Sequence, residues 1–235
     1  MKKETSIESI RRETKILLHS VPVKCDNPFG IIQHPFTQSN IAFLQNREMV
    51  DIFTKDGYEK WIKDIEKLID SVEIDRIFSI YLISAWYLTW LKFVKPYLSK
   101  EDFTKFFAEA WIQQDNPNMD ANVSIRELTK WFKEADKKIL MDEEEYEYWE
   151  SLPEEITLYR GVSRGRKKYG LSWTDNIETA KWFQRRFANQ ENQGELLKVV
   201  VPKKHCLCYF NGRNEHEIVL DVNAVKKDIE EMRST

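Results

Sequence analysis

The period of the apolar residues changes at Pro153, and this one change restricts the chain to a helical part followed by a mostly β part. Upstream, Trp61, Ile62, Ile65, Leu68, Ile69 and Val72 recur at the three-four spacing of a helix face. Residues 77–97 read as one further, almost wholly buried helix that ends near Pro96. Ser99 with Asp102 then starts a helix whose inner face is Phe103, Phe106, Phe107, Ala110 and Trp111. Ser124-Ile125-Arg126-Glu127 is a capping box ahead of Leu128, Trp131 and Phe132. An acidic helical piece occupies 142–152, and a charged amphipathic helix is expected over 2–18. Pro22, Pro28, Gly30 and Pro35 make 21–37 an extended connection.

Beyond Pro153 the runs are short and rich in β-branched and aromatic residues: 157–161, 171–174, 196–201, 206–210 and 215–221 read as strands. Only 177–187 reads as helix among them. The expectation is therefore an α+β protein, with a helical region over 1–152 and a second region over 153–235.

At 235 residues and 42% hydrophobic content the chain can bury a normal core. Its 36 basic and 39 acidic side chains leave a formal charge of −3, so there is no overall pull toward nucleic acid or an anionic membrane. Any such binding has to come from a local patch. The uncharged run 77–91 is shorter than the roughly 20 residues a spanning helix needs, and no secretory leader is visible over 1–16. A cytoplasmic protein is expected, with no membrane partner. Cys206 and Cys208 lie too close along one strand to bridge, and with Cys25 they suit a reducing compartment. His205 is the only histidine beside them, so no metal site is expected.

Three pieces in the second region carry polar groups at strand ends. They are Tyr159-Arg160-Gly161, then Gly170-Leu171-Ser172-Trp173-Thr174, then a stretch over 214–220 that includes Glu215 and Glu217. Alternation along a strand puts Ser172 and Thr174 on one face, and likewise Glu215 and Glu217, about 7 Å apart. This order resembles the arginine-serine-glutamate pattern of the ADP-ribosyltransferase superfamily, in its Glu-x-Glu form.

The resemblance covers roughly the last 80 residues, and it implies a core of two small packed β-sheets with NAD as substrate. It implies that Glu217 stabilises the ribosyl cation, that Ser172 holds Glu217, and that Thr174 is the second hydroxyl of the motif. Arg160 and Gly161 would contact NAD, the first through its guanidinium and the second by letting the dinucleotide approach the backbone. Glu215 would engage an acceptor guanidinium. Trp173 stands where the family has a smaller residue, and residues 175–187 resemble the helix that follows the hydroxyl strand.

The activity implied is mono-ADP-ribosyl transfer to a protein acceptor, with arginine as the modified residue. A second reading with the same residues is NAD glycohydrolysis. A third, from another class, is a non-catalytic protein-binding or inhibitory module. Neither the net charge nor an aromatic-basic stripe favours nucleic acid as the substrate. The basic run Arg164-Gly165-Arg166-Lys167-Lys168 could reach a pyrophosphate or an acidic partner, or be a solvated loop.

Overall fold

A computed structural model describes residues 3–24, 32–187 and 194–232. Cys25, Pro28 and Gly30 lie outside the described residues. The protein is α+β and divides into two compact units, Met1–Pro117 and Asn118–Thr235.

The first unit contains helix α1 (Ile7–Ser20), a hairpin of β1 (Ile41–Phe43) and β2 (Met49–Asp51), then α2 (Lys55–Ser71), α3 (Ile74–Arg76), α4 (Tyr87–Val94) and α5 (Lys100–Gln113). Local chemistry starts these helices. Ser6, Thr54 and Ser99 each accept a hydrogen bond from a backbone N–H of the first turn, of Ser9, Gly57 and Asp102 respectively. The expected single helix over 77–97 is broken instead. Ile77–Tyr81 forms a π-helical turn, Leu82 and Ile83 are extended, and short 3₁₀ turns flank α4. The Ile83 N–H donates to the Pro35 carbonyl at 2.8 Å, so a residue far back in the chain takes the donor that a continuous helix needs. Phe78 stacks on Tyr87 with ring centres 4.1 Å apart, and the Trp90 indole donates to Thr14 Oγ1 at 2.9 Å. Among the described residues no helix is long and apolar enough to cross a membrane.

The second unit begins with α6 (Ile125–Glu134), α7 (Lys137–Leu140) and α8 (Glu143–Ser151). The expected capping box of Ser124 with Glu127 is made, and Asp142 with Glu145 forms a second one. There follow β3 (Glu155–Val162), β4 (Ser172–Thr174), α9 (Ile177–Arg185), β5 (Glu195–Pro202), β6 (Cys206–Phe210), β7 (Glu217–Leu220), α10 (Val222–Val225) and β8 (Glu230–Met232). The three helices ahead of Pro153 thus sit in the same unit as the strands. The reason is that β6 is an edge strand with backbone donors and acceptors to satisfy. The Trp149 indole donates to the Cys206 carbonyl at 2.9 Å, Glu145 accepts from the Asn211 N–H at 2.7 Å, and Met141 Sδ accepts from the Tyr209 N–H at 3.3 Å.

All strands of this unit belong to one antiparallel sheet of order β6-β7-β4-β3-β5-β8. Its middle is thin, because β3 and β4 share only the pair Tyr159 opposite Thr174, whereas β3 and β5 pair from Glu155–Pro202 through Val162–Glu195. In place of the two small packed sheets expected from the sequence, the unit has one six-stranded sheet, narrowest between β3 and β4.

Candidate active site

The register between β4 and β7 assembles the centre of the site. Ser172 faces Val219, Trp173 faces Ile218 and Thr174 faces Glu217. Directly opposed residues in an antiparallel pair point to one face, so Ser172, Thr174 and Glu217 share a face and Trp173 and Ile218 occupy the other. Trp173 is 2% exposed and its indole donates to the Gly170 carbonyl at 3.0 Å. The bulky residue at the middle of the hydroxyl motif is thus a core side chain on the face away from Glu217.

Thr174 is buried, and its Oγ1 accepts from the Asn176 N–H at 3.1 Å. Asn176 in turn caps α9 by accepting from Glu178 and Thr179. The hydroxyl strand and the following helix are therefore locked by a three-residue relay. Ser172 Oγ accepts from Asn118 Nδ2 at 2.9 Å, while Asn118 Oδ1 accepts from the Leu171 N–H at 2.6 Å. A backbone N–H can only donate, so it fixes which end of the Asn118 amide faces Ser172. With a donor already on its oxygen, the Ser172 hydroxyl has its own proton left to give. Asn118 is the residue that sequence reasoning missed: it comes 54 positions before Ser172, in a stretch readable only as a turn.

Arg160 is 8% exposed, and its guanidinium is occupied by the protein itself. Nε donates to the Lys168 carbonyl at 3.1 Å, Nη1 to the Ser172 carbonyl at 2.6 Å and Nη2 to the Lys167 carbonyl at 2.8 Å. Burial pushes its pKa down to about 10, while the Glu217 carboxylate opposes that shift and Arg166 adds to it. Arg160 thus ties the 163–171 loop to the strand that carries Ser172, and Glu217 lies within its electrostatic reach.

Gly161 is needed by the helix above it. A Cβ there would come within 1.9 Å of the Ala180 carbonyl oxygen and 2.4 Å of the Gln184 nitrogen, so the missing side chain is space that α9 fills with its backbone.

Glu215 is placed differently from the strand alternation expected of it. β7 starts only at Glu217, and both neighbours of Glu215 are left-handed, Asn214 at φ 54° and His216 at φ 48°. The segment before Glu217 is a turn held by the Asn214 N–H on the Asn211 carbonyl at 2.8 Å and by Asn211 Oδ1 accepting from the His216 N–H at 3.2 Å. Left-handed φ values interrupt the pleat that would have aligned the two acids. Glu215 instead pairs with Arg213, with Nη2 and Oε2 at 3.6 Å.

Beside this turn stands an aromatic group that the sequence did not signal. Tyr148 and Tyr209 stack with centres 4.2 Å apart, Tyr209 Oη bonds His216 Nδ1 at 3.0 Å, and the Tyr148 hydroxyl donates to Asp175. Burial raises the pKa of Tyr209 to about 12 and, together with the Asp175 carboxylate, raises that of Tyr148. Both phenols stay neutral, and that of Tyr148 serves as a donor. Cys206 and Cys208 are buried free thiols, raised by burial to about 12 in the first case and well above the ordinary thiol range in the second, so neither supplies a thiolate. Among the described residues no cluster of three or more His, Cys, Asp or Glu could hold a metal ion.

Comparison with family models, with curated proteins and with solved structures finds no match for this chain. The functional reading therefore rests on the residues and their geometry.

Proposed function

We propose that the protein is a mono-ADP-ribosyltransferase that cleaves NAD and passes ADP-ribose to a protein arginine. The observation that carries this reading is the register that sets Glu217 opposite Thr174, with Ser172 on the same face. In the proposed reaction the bond between ribose C1′ and the nicotinamide nitrogen breaks, and its electron pair leaves with nicotinamide, which becomes neutral. The ribose is left as an oxocarbenium-like cation. A fixed carboxylate at Glu217 stabilises that charge as it grows, and the free proton of Ser172 is available to orient the carboxylate. An acceptor nitrogen then bonds C1′ and gives up a proton, the step for which Glu215 is the available base.

Two further features support the arginine acceptor. Glu215 already pairs with a guanidinium, that of Arg213, and it lies two residues before Glu217 in the chain. Arg160 enters this reading as the residue that positions Ser172 and its loop, since its N–H groups face three backbone carbonyls. Water in place of the acceptor gives NAD glycohydrolysis with the same donor-side residues.

The test is incubation of the protein and a host lysate with NAD labelled on the adenylate. Transfer of label to protein supports the transferase, and nicotinamide release without label on protein means hydrolysis. Glu217→Gln should lower nicotinamide release at least about 10²-fold in a folded protein. If the native protein leaves NAD intact, the enzyme reading fails and a binding module on this fold takes its place.

A further inference from the structure

The second unit carries a local patch whose sign is opposite to that of the chain as a whole. The turn after β3 bears Arg164, Arg166 and Lys167, with Gly165 at φ 75° making the reversal, and the C-terminal end of α9 bears Arg185 and Arg186. The two meet through Phe187: the guanidinium carbons of Arg166 and Arg186 lie 5.6 and 5.4 Å from its ring centre. Arg186 also lies 5.3 Å from the ring centre of Trp182. Arg185 and Arg186 line a surface depression with Trp182 and Glu178, and the Glu178 carboxylate is already taken by Lys181 at 2.7 Å. Among the described residues, no carboxylate forms a salt bridge with Arg166, Arg185 or Arg186, and the Glu178 carboxylate is within electrostatic reach of Arg185.

The aromatic members are exposed, Trp182 by 56% and Phe187 by 48%. Open rings of this size, interleaved with cations that form no salt bridge among the described residues, constitute a site rather than packing. Between residues 163 and 187 these two are the only large exposed apolar side chains described. A protein partner of ordinary interface size asks for an apolar centre of aliphatic as well as aromatic groups, which this stretch does not offer. Planar rings and guanidinium planes beside clustered positive charge fit a chain of bases and phosphates instead.

From this we infer that the Arg166–Trp182–Arg186–Phe187 patch binds single-stranded nucleic acid, the phosphates lying along the arginines and bases stacking on Trp182 and Phe187. The inference does not rest on the ADP-ribosyltransferase reading, because it uses none of the residues placed in that site. A strongly negative strand would be drawn to this face despite the net charge of −3, since at physiological salt its charges sense the field only within about a Debye length of roughly 8 Å.

The experiment is fluorescence anisotropy of a labelled oligo(dT) strand of roughly twenty nucleotides, titrated with the full chain between about 50 and 200 mM salt. With Arg166, Arg185 and Arg186 each neutralising one phosphate, the log–log dependence of affinity on salt should have a slope of about −2. Trp182→Ala should weaken binding on the order of tenfold with the slope unchanged, and Arg186→Ala should reduce the slope by about 0.7. Both positions are on the surface, so a thermal melt matching the native protein certifies the variants. Binding that both variants leave intact would overturn the assignment. So would displacement of the strand by an equal charge of polyglutamate at the same salt, which would give the patch to an acidic protein. No binding at about 50 mM salt would likewise end it.

Discussion

Replacing Arg160 with methionine keeps an unbranched buried chain but removes the donors that the Lys167, Lys168 and Ser172 carbonyls use. Hydrogen bonds from a charged donor contribute roughly 1.5–3 kcal/mol each, so three give a gross stabilisation of about 6 kcal/mol. Against this stands the cost of burying the cation. The fall of its pKa to about 10 corresponds to a cost of about 3 kcal/mol. Methionine forfeits the three hydrogen bonds and recovers that cost. The net expectation is a loss of about 3–4 kcal/mol, within the range seen when a buried hydrogen-bond network is broken. The sign with respect to pH also follows. The folded pKa is below the unfolded one, so the burial cost is relieved only as pH rises above about 10, and at neutral pH it is present in full. The assay is urea unfolding followed by circular dichroism, for the native protein, Arg160→Met and Arg160→Lys. Lysine keeps the charge but cannot reach three carbonyls in a fixed fork, so it should recover less than half of the loss. A loss under about 1 kcal/mol in Arg160→Met would refute the structural role. Weakened NAD binding at unchanged stability would return this arginine to direct contact with the dinucleotide.

Three further outcomes are expected. Asn118→Asp keeps the acceptor for the Leu171 N–H but turns a carboxylate toward Ser172, so nicotinamide release should slow by about tenfold or more while the melting temperature changes little; an equal loss of rate and stability would make Asn118 a purely structural residue. Gly161→Ala puts a methyl group against the backbone of α9 and should cost about 2 kcal/mol or more, read from the urea midpoint, because a carbonyl oxygen 1.9 Å away cannot be moved without moving the helix. His34 is 1% exposed, and burial lowers its pKa from 6.5 to about 4, so stability is highest above about 6.5 and should fall by about 3 kcal/mol as pH drops toward 4. His34→Gln should flatten that dependence in urea titrations across the same pH window.

Local chemistry accounts for what could be read directly from the sequence. Capping at Ser99 and Ser124 spans only three residues, and so it was readable without knowing the rest of the chain. The same holds for the alternation in β3, and for the buried Trp173 facing away from the two hydroxyls that flank it, because side-chain direction in a strand depends only on parity. The pairing of Glu217 with Thr174 needed the fold, since register belongs to two strands at once and a slip by one residue would turn the carboxylate to the other face. Long-range hydrogen bonds decided the remainder. The Pro35 carbonyl interrupted the helix expected over 77–97, and the amide of Asn118 reached Ser172 across 54 residues. Arg160 looked like a ligand contact in the sequence and proved to be bonded to backbone carbonyls, groups that every residue carries and that no sequence pattern marks. Glu215 left the strand because two successive left-handed residues flank it, a backbone state that Asn214 and His216 permit but that only the closing turn and the Tyr209 hydroxyl impose.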